Sequence, residues 1–363
     1  MKKENLKKNN WLNMTKVKLD PKVAVWEYTL KCNSKCIHCG SDAINARANE
    51  LNTNESLNLV DQIANIGFDL VVLSGGEPTL RKDWFEISKK IKSEEMELGI
   101  ISNALAWNSD TIDKIASLDA FSIGFSVDGE KELHNYLRGA SGSHAKIFSV
   151  IKELKKRDTT VCVVTSVNKK NLEELTQIRN RLIVYGVDAW QIQMASPMGR
   201  MAENKDIVLD ADDYYRLGEF IVETRERLPL MNVQAGDCMG YFGKLESQIR
   251  DREWPGCMAG IEGLGIEADG TVKGCLSIRK DYAIEGNVRD TPLKDIWFNP
   301  TNFKYTRGFN KSDIKGDCKG CEYDIKCRGG CQSQSTAFFD EFNNAPYCFL
   351  RYENEKKSWM KTN

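Results

Sequence analysis

Three cysteines on one short loop constrain this chain more than any other feature. Cys32, Cys36 and Cys39 are spaced C-x3-C-x2-C and follow directly on the apolar run 23–30. Three thiols can bind a thiophilic metal ion or an iron–sulfur cluster, but they leave one of four tetrahedral positions open, and an open position is where a metal site does chemistry. A structural zinc ion would need a fourth ligand, and His38, between two of the thiols, is poorly placed to bind the same ion. Structural zinc and a disulfide are the alternatives.

The composition is that of a soluble globular protein. The chain has 363 residues, of which 41% are hydrophobic and 28% charged, enough for one large domain and a smaller one. Its formal net charge of -1 gives no reason to expect nucleic acid or an anionic membrane as a partner. The Lys-rich start has no apolar core for a signal peptide, and no later run approaches a membrane span. Twelve cysteines without an export signal indicate metal or redox chemistry in the cytoplasm rather than a disulfide framework.

Short β-branched or aromatic runs alternate with longer amphipathic segments, a pattern typical of parallel βα units. Six runs are predicted as strands: 23–26, 70–74, 98–102, 120–127, 160–165 and 189–194. Helices are predicted at 57–66, 84–91, 112–118, 145–156 and 172–185, with a further helix-like segment at 210–226. Because six units are fewer than the eight of a closed barrel, the sequence predicts an α/β fold with a partial (β/α)6 barrel. Functional groups in such a barrel collect at the carboxyl ends of the strands.

Polar residues follow several of the predicted strands. Glycines let the backbone approach a ligand, a carboxylate can accept from an ammonium group, and an arginine can clamp a carboxylate bidentately. Each feature alone has a plainer interpretation as a tight turn, a helix cap or a surface arginine. In chain order the residues are Gly75, Gly76, Glu77 and Pro78; Ser102 and Asn103; Ser126 and Asp128; and Arg138. Their order behind the cysteine loop favours one shared site.

The stretch from residue 23 to about 202 resembles the core of the radical S-adenosylmethionine (radical SAM) enzymes. The resemblance rests on the cysteine loop, the motif Gly75-Gly76-Glu77-Pro78 and the polar residues at the later strand ends. It implies a [4Fe-4S] cluster on Cys32, Cys36 and Cys39, with SAM on the fourth iron. Electron transfer into the sulfonium would then release a 5′-deoxyadenosyl radical.

The same resemblance implies the contacts made by SAM. The Gly-Gly-Glu-Pro motif, with Glu77, would bind the amino group, and Arg138 would bind the carboxylate. Residues 191–194, ending at Met194, would lie against adenine. The ribose and methionine contacts would come from Ser102, Asn103, Ser126 and Asp128.

The C-terminal part of the chain is rich in cysteine. Because the βα rhythm stops after residue 201, 203–235 is predicted as a helical bridge and 236–363 as a small, irregular domain. Eight thiols from Cys238 onward can complete two four-cysteine cluster sites, with two zinc ribbons as the structural alternative. Seven follow the pattern C-x12-G-x4-C, C-x2-C-x5-C-x3-C, C: Cys257, Gly270 and Cys275; Cys318, Cys321, Cys327 and Cys331; and Cys348.

Behind a radical SAM core, this pattern resembles the SPASM domain, which in its relatives binds two auxiliary [4Fe-4S] clusters. The resemblance implies an interleaved ligation, with Cys257, Cys275 and Cys331 on auxiliary cluster I. Auxiliary cluster II would take Cys318, Cys321, Cys327 and Cys348. Cys238 is the candidate eighth ligand, because it is the unassigned cysteine nearby, and an open, substrate-accessible iron is the alternative. Cys162, within a predicted strand, is interpreted as a buried small hydrophobe.

The resemblance implies an oxidoreductase that abstracts a hydrogen atom from a carbon and passes an electron to the auxiliary clusters. Relatives of this architecture modify peptides or proteins, so we expect maturation of a peptide or protein, such as a thioether or another crosslink. Small-molecule or cofactor biosynthesis, for instance on a tetrapyrrole, is the alternative. A zinc-containing binding protein on a barrel scaffold is the non-catalytic alternative. No general acid or base stands out.

Two partners follow from these expectations. The three clusters need an external electron donor of the flavodoxin or ferredoxin type. The N-terminal extension, 1–22, is too short for a fused leader-peptide recognition domain. A peptide substrate would then need a separate recognition protein or the barrel itself.

Overall fold

The alternating pattern folds into a parallel sheet in the computed structural model, which describes residues 17–362. Seven strands pair side by side in chain order, all in parallel. They are β1 (Val23–Thr29), β2 (Leu70–Gly75), β3 (Glu97–Ser102), β4 (Ser122–Ser126), β5 (Val161–Val167), β6 (Ala189–Met194) and β7 (Asn232–Ala235). Three more strands extend the sheet beyond β1. β8 (Gly263–Ile266) pairs in parallel with β1, β9 (Thr271–Lys273) is antiparallel to β8, and β10 (Ile284–Asn287) is antiparallel to β9.

Helices connect the parallel strands and continue through the C-terminal part. A capping box starts the first helix: Asn52 Oδ1 accepts from the Glu55 amide (3.0 Å), and Glu55 Oε2 accepts from the Asn52 amide (2.8 Å). None of the helices in residues 17–362 combines the length and the apolar character needed to cross a membrane. In chain order they are α1 (Thr53–Ile66), α2 (Trp84–Ser93), α3 (Ser109–Ala116), α4 (Lys131–Arg138), α5 (Ser143–Lys155), α6 (Leu175–Val184), α7 (Ala211–Arg227), α8 (Glu246–Ile249), α9 (Leu293–Phe298), α10 (Lys304–Arg307), α11 (Asp324–Cys327), α12 (Gln332–Phe339) and α13 (Phe349–Thr362).

The two faces of the sheet differ in burial. Along β5, Val163 and Thr165 are buried, whereas Cys162 is only partly buried, as the period of two in a strand requires. Trp190 on β6 donates to Thr165 Oγ1 (2.8 Å) and packs edge-on against Phe220 of α7. The buried face is therefore the helix-covered one. The opposite face of the sheet is more open. It carries the partly buried side chains that alternate with the buried ones, such as Cys162 on β5.

The six predicted strands and the helices between them are present, so the α/β class is confirmed. The prediction that the βα rhythm stops after residue 201 is wrong, because α7 leads into β7, which pairs in parallel with β6. The region predicted to be irregular also adds β8, β9 and β10 to the same sheet. These strands are three or four residues long, too short for a periodic pattern to show. The domain boundaries 23–202, 203–235 and 236–363 stay predictions, and most of the extension 1–22 lies outside the described residues.

The start of α13 packs against α7 through an aromatic ring. Phe349 lies 4.6 Å from Tyr214 and 4.7 Å from Phe242 between ring centroids. Gly218 of α7 leaves room for this ring, since a Cβ at that position would lie 2.3 Å from Phe349 Cε1. Because Phe349 follows Cys348 directly, this contact holds the last cysteine against the barrel.

We expect Gly218→Ala to destabilise the protein. Overpacking against Phe349 costs about 1–3 kcal/mol, which a helix-propensity gain of about 1 kcal/mol only partly offsets. Glu219→Ala, on the exposed side of the same helix, is the matched control and should change the free energy of unfolding by less than about 0.5 kcal/mol. Urea denaturation followed by tryptophan fluorescence measures both. Equal stability of the two variants would show that Phe349 is not held at this position.

Candidate functional site

The cysteine loop leaves the carboxyl end of β1 without helix or strand of its own. The Cys32 amide donates to Ile44 O and the Ile37 amide donates to Leu137 O, both at 3.0 Å. Cys36 is buried, and Cys32 and Cys39 are partly buried. Burial, with a smaller contribution from the thiolates of Cys36 and Cys39, raises the pKa of Cys32 to about 11. The Cys36 and Cys39 sulfurs therefore lie close enough to Cys32 to affect its pKa.

The Gly-Gly-Glu-Pro motif braces the start of this loop. The Gly76 amide donates to Thr29 O (2.7 Å) and the Glu77 amide donates to Lys31 O (2.8 Å). A Cβ on Gly76 would lie 2.3 Å from Lys31 O, and Gly75 has a φ of 111°. Both positions therefore require glycine, because the motif packs directly against backbone. The sequence predicted that the backbone of these glycines approaches a ligand, and that contact stays a prediction. The structure shows the same backbone packed closely against the start of the cysteine loop.

The Glu77 carboxylate is an internal acceptor. It is fully buried and accepts from Ser102 Oγ (2.9 Å), the Asn103 amide (2.8 Å) and Thr79 Oγ1 (2.5 Å). Burial raises the pKa of Glu77, and these donors oppose that rise. The carboxylate thus ties the ends of β2 and β3 together. Its predicted contact with an ammonium group, and that of Ser102 with a ribose, remain predictions.

Asn103 reaches the cysteine loop from β3. Its Nδ2 donates to Asn33 Oδ1 (2.9 Å) and lies 3.6 Å from Cys32 Sγ. Two other predicted contact residues sit at neighbouring strand ends, with Ser126 partly exposed at the end of β4 and Met194 buried at the end of β6. Pro78 is buried at the start of the turn that follows the glycines. The structure therefore gathers the predicted residues at one edge of the sheet.

Asp128 and Arg138 form a buried ion pair beside the loop. Arg138 Nη2 lies 2.5 Å from Asp128 Oδ2, and His38 Nε2 lies 3.0 Å from the same oxygen. Arg138 Nη1 also points at Cys36 Sγ (3.7 Å), and its carbonyl accepts from Ser34 Oγ (2.6 Å). The Arg138 guanidinium and the hydrogen bond with His38 hold the pKa of Asp128 below its usual range despite its burial. The structure thus gives Asp128 and Arg138 internal partners, and their predicted contacts with SAM stay predictions.

Arg200, which the sequence did not single out, holds the other side of the loop. Its Nε donates to Cys36 O (2.8 Å), its amide to Cys39 O (3.0 Å), and its Nη1 pairs with Asp42 (2.7 Å). The preceding Gly199 has a φ of 54°, and a Cβ there would lie 2.4 Å from Cys39 O. The sequence signal that could have identified Arg200 is the glycine that precedes it, just after the sixth strand.

Arg279 connects the loop to the C-terminal part of the chain. Its Nε donates to Gly40 O (3.2 Å), and its Nη2 donates to Glu27 Oε2 (2.9 Å). Glu27 is fully buried on β1 and also faces Arg47, which bonds Glu267 at 2.8 Å. A charged residue inside the apolar run of β1 could have revealed this network, because a buried charge needs partners.

Four C-terminal cysteines form what we call the first thiol set. Burial raises the pKa of each, to about 12 for Cys238 and about 11 for Cys331. The Cys331 thiolate contributes to the rise at Cys238, and the Cys275 thiolate contributes at Cys331. The set contains Cys238, Cys257, Cys275 and Cys331.

The other four C-terminal cysteines form the second thiol set. Burial raises the pKa of Cys327 to about 12, and the thiolates of Cys348, Cys318 and Cys321 add to the rise. Backbone amides point at two of the sulfurs, from Ala345 to Cys318 (3.4 Å) and from Tyr323 to Cys321 (3.5 Å). A cavity between the two sets is lined by Cys238 and Cys331 from the first and by Cys327 and Cys348 from the second.

The donor chemistry of these three groups fits iron–sulfur clusters. Every candidate ligand is a thiol, the ligand type that such clusters require. No three His, Cys, Asp or Glu side chains within residues 17–362 are arranged to hold a single metal ion. A four-iron cluster needs a wider arrangement, because each thiolate binds a different iron. Zinc ribbons stay the alternative for the C-terminal cysteines.

Comparison with known families agrees with this geometry. The model of the radical SAM superfamily matches residues 26–182, and that of SPASM, an iron-sulfur cluster-binding domain, matches residues 257–322. The first match contains the cysteine loop, the Gly-Gly-Glu-Pro motif and Arg138. The second contains Cys257 to Cys321 and ends before the last three cysteines.

Relatives extend the likeness along most of the chain. The chain is 28% identical to the AdoMet-dependent heme synthase of Methanosarcina barkeri, over 91% of this chain and 97% of the relative. It is 25% identical to the mycofactocin maturase MftC of Mycobacterium tuberculosis, over 86% of this chain and 78% of the relative. The structure of Streptococcus suis SuiB bound to the precursor peptide SuiA aligns with a TM-score of 0.76 at 18% identity, over 92% and 77% of the two chains. At that identity the likeness to SuiB concerns the fold alone.

We expect Asp128→Asn to be strongly destabilising. Removing the carboxylate leaves the Arg138 guanidinium buried without its partner, which costs about 3–5 kcal/mol. Asp113→Asn is the matched control, because Asp113 pairs with Arg157 at 2.8 Å on the exposed surface, and it should cost less than about 1 kcal/mol. Chemical denaturation of both variants gives the comparison. Similar small losses would mean that Arg138 finds another partner.

Proposed function

This chain is a radical SAM enzyme with a C-terminal SPASM domain, and from that premise we propose that it abstracts a hydrogen atom from its substrate and removes the surplus electron through the two thiol sets. The observation that carries the proposal is the separation of eleven cysteines into three groups. The loop offers three thiols, and each set in the C-terminal part offers four. An incomplete group beside two complete ones suits one reactive cluster and two electron-carrying clusters.

We assign the residues as follows. Cys32, Cys36 and Cys39 would hold the reactive [4Fe-4S] cluster, which with SAM bound supplies the 5′-deoxyadenosyl radical. Auxiliary cluster I would take Cys238, Cys257, Cys275 and Cys331. Auxiliary cluster II would take Cys318, Cys321, Cys327 and Cys348. Cys238 of the first set lies beside Met194 at the end of β6, and one cavity is lined by thiols of both sets. This arrangement supports electron exit from the first set through the second to an external carrier.

The residues around the loop hold it in place. Asn103 and Arg138 direct N–H groups at the sulfurs of Cys32 and Cys36. Such donors suit sulfurs that bind a cluster, because a metal-bound thiolate can accept hydrogen bonds from N–H groups. Gly76 and Arg200 fix the backbone on either side of the thiols. These side chains position the loop and its ligands, and none of them needs to exchange a proton.

A tetrapyrrole is the first candidate substrate. The relative that supports it is the heme synthase, which this chain matches over 97% of its length. The match also spans 91% of this chain, so it includes both the radical SAM part and most of the C-terminal part. A peptide or protein is the second candidate, supported by the match to MftC, a maturase.

We expect the triple variant Cys32→Ala, Cys36→Ala, Cys39→Ala to lose reductive SAM cleavage and to keep its other iron. Anaerobically purified wild-type protein should hold about twelve iron atoms per chain and the triple variant about eight, since each four-iron cluster accounts for four. Liquid chromatography with mass spectrometry measures 5′-deoxyadenosine. Cys162→Ala, which removes a cysteine outside the three groups, is the control and should retain both the iron and the activity. Production of 5′-deoxyadenosine by the triple variant would refute the assignment.

Cys238→Ala tests the eighth ligand. If Cys238 ligates auxiliary cluster I, the variant should show one iron with altered coordination, visible as a new Mössbauer component, or should lose about four iron atoms. Cys162→Ala serves again as the control. An unchanged Mössbauer spectrum in Cys238→Ala would mean that the first set holds its cluster through three thiols and leaves one iron open.

Substrate choice is tested by comparing two series of incubations. The enzyme is given SAM and a reductant with candidate iron tetrapyrroles in one series and with candidate precursor peptides in the other. A true substrate should raise 5′-deoxyadenosine formation about tenfold or more above the substrate-free rate, which corresponds to a barrier lower by about 1.4 kcal/mol. When it is deuterated at the carbon attacked, it should pass deuterium to the 5′ carbon of 5′-deoxyadenosine. Stimulation by peptides alone would favour the second candidate over the first.

A further inference from the structure

Tyr305, on α10, has a buried hydroxyl group that the site described so far does not use. The oxygen is inaccessible to solvent and has no hydrogen-bond partner within residues 17–362. An unsatisfied buried hydroxyl costs about 1–3 kcal/mol, so it normally has a partner. The protein around Tyr305 therefore leaves one hydrogen bond to be made by something else.

The hydroxyl faces the first thiol set. Burial raises the pKa of Tyr305 well above its usual value, and the thiolates of Cys257 and Cys275 are the next largest causes of that rise. A phenol carries its proton at neutral pH even without such a rise, so the hydroxyl can act as a donor. The hydroxyl lies against Gly274, the residue before Cys275, so the free donor lies close to a thiol.

The surroundings of Tyr305 are shaped to keep the hydroxyl at this position. Its ring stacks on Phe342, with centroids 4.4 Å apart and planes 8° from parallel. Gly274, the residue before Cys275, makes room for the oxygen: a Cβ there would lie 2.1 Å from the Tyr305 hydroxyl. A side chain at position 274 would therefore displace the hydroxyl from the thiols.

We propose that the Tyr305 hydroxyl donates a hydrogen bond to a sulfur of the cluster held by the first thiol set, and so sets the reduction potential of auxiliary cluster I. The acceptor is a cysteine thiolate or a sulfide, which share the same chemistry. The inference rests on the proposed ligation by Cys257 and Cys275. Reduction adds negative charge to the sulfurs, and a donor stabilises the more negative state. Tyr305 is thus a tuning residue that acts through the cluster and does not touch the substrate.

The test uses Tyr305→Phe in the protein that lacks the three loop cysteines, so that only the auxiliary clusters contribute to the spectra. Potentiometric titration followed by electron paramagnetic resonance should show one auxiliary cluster shifted to a more negative potential and the other unchanged. After cluster reconstitution in D2O, electron–nuclear double resonance should show that the variant has lost one exchangeable deuteron near the cluster. A role in packing alone would leave that deuteron in place.

Tyr282→Phe is the matched control. Tyr282 also packs against Phe342, with centroids 5.5 Å apart, but its hydroxyl bonds Asp340 and its side chain is 54% exposed. We expect it to leave both auxiliary potentials and the deuteron signal unchanged. Unchanged potentials and an unchanged deuteron in Tyr305→Phe, with full iron content, would overturn the proposal.

A second variant tests the proposal if Tyr305→Phe loses auxiliary cluster I. Gly274→Ala keeps the phenol and pushes its hydroxyl away, so it should remove the same deuteron and shift the same potential. Retention of the deuteron in Gly274→Ala would overturn the proposal. The parent protein without the loop cysteines should hold about eight iron atoms per chain. If it holds about four, the assignment of auxiliary cluster I itself is wrong. This result is known before any Tyr305 variant is made.

Discussion

One buried carboxylate joins four segments beside the cysteine loop. Asp128 follows β4, and it binds Arg138 at the end of α4, His38 in the loop and the amide of Ser166 on β5 (2.8 Å). A buried carboxylate that loses its partners is costly, so the segments that bring those partners must come together for any of them to be stable. The position of the loop and the stability of the barrel therefore depend on the same ion pair.

Arginines from distant parts of the chain complete the surroundings of the loop. Arg200 bonds the carbonyl of Cys36 across 164 residues of sequence, and Arg279 bonds the carbonyl of Gly40 across 239. Together with Arg138 they place three guanidinium groups around a loop of three thiols. Each guanidinium also pairs with a carboxylate, that of Asp128, Asp42 or Glu27, so the arginines hold the loop without supplying a competing ligand. The loop needs no secondary structure of its own because the partners that hold it come from outside.

The sequence predicted what depends on periodicity and on closely spaced motifs. The strands from β1 to β6, the cysteine loop and the grouping of polar residues at the carboxyl ends of strands belong to this class. It did not reveal β7 and β8, whose four residues each carry too little pattern. It also missed the internal partners of Glu77 and Asp128, because a buried carboxylate and a ligand-binding one look alike until the donors around them are known. Arg200 and Arg279 were missed since their partners are backbone carbonyls, which sequence does not distinguish.

The segment between Cys327 and Cys331 decides how the two thiol sets relate to each other. Only three residues separate these cysteines, yet Cys327 belongs to the second thiol set and Cys331 belongs to the first. Arg328, Gly329 and Gly330 all have positive φ angles, of 55°, 74° and 82°. Three successive left-handed residues reverse the chain within a very short distance, and a Cβ on Gly329 would lie 2.3 Å from the Asn343 backbone. Because this turn is both short and closely packed, the two sets cannot move apart without breaking it. An electron path between them would thus have a fixed length that is set by the backbone.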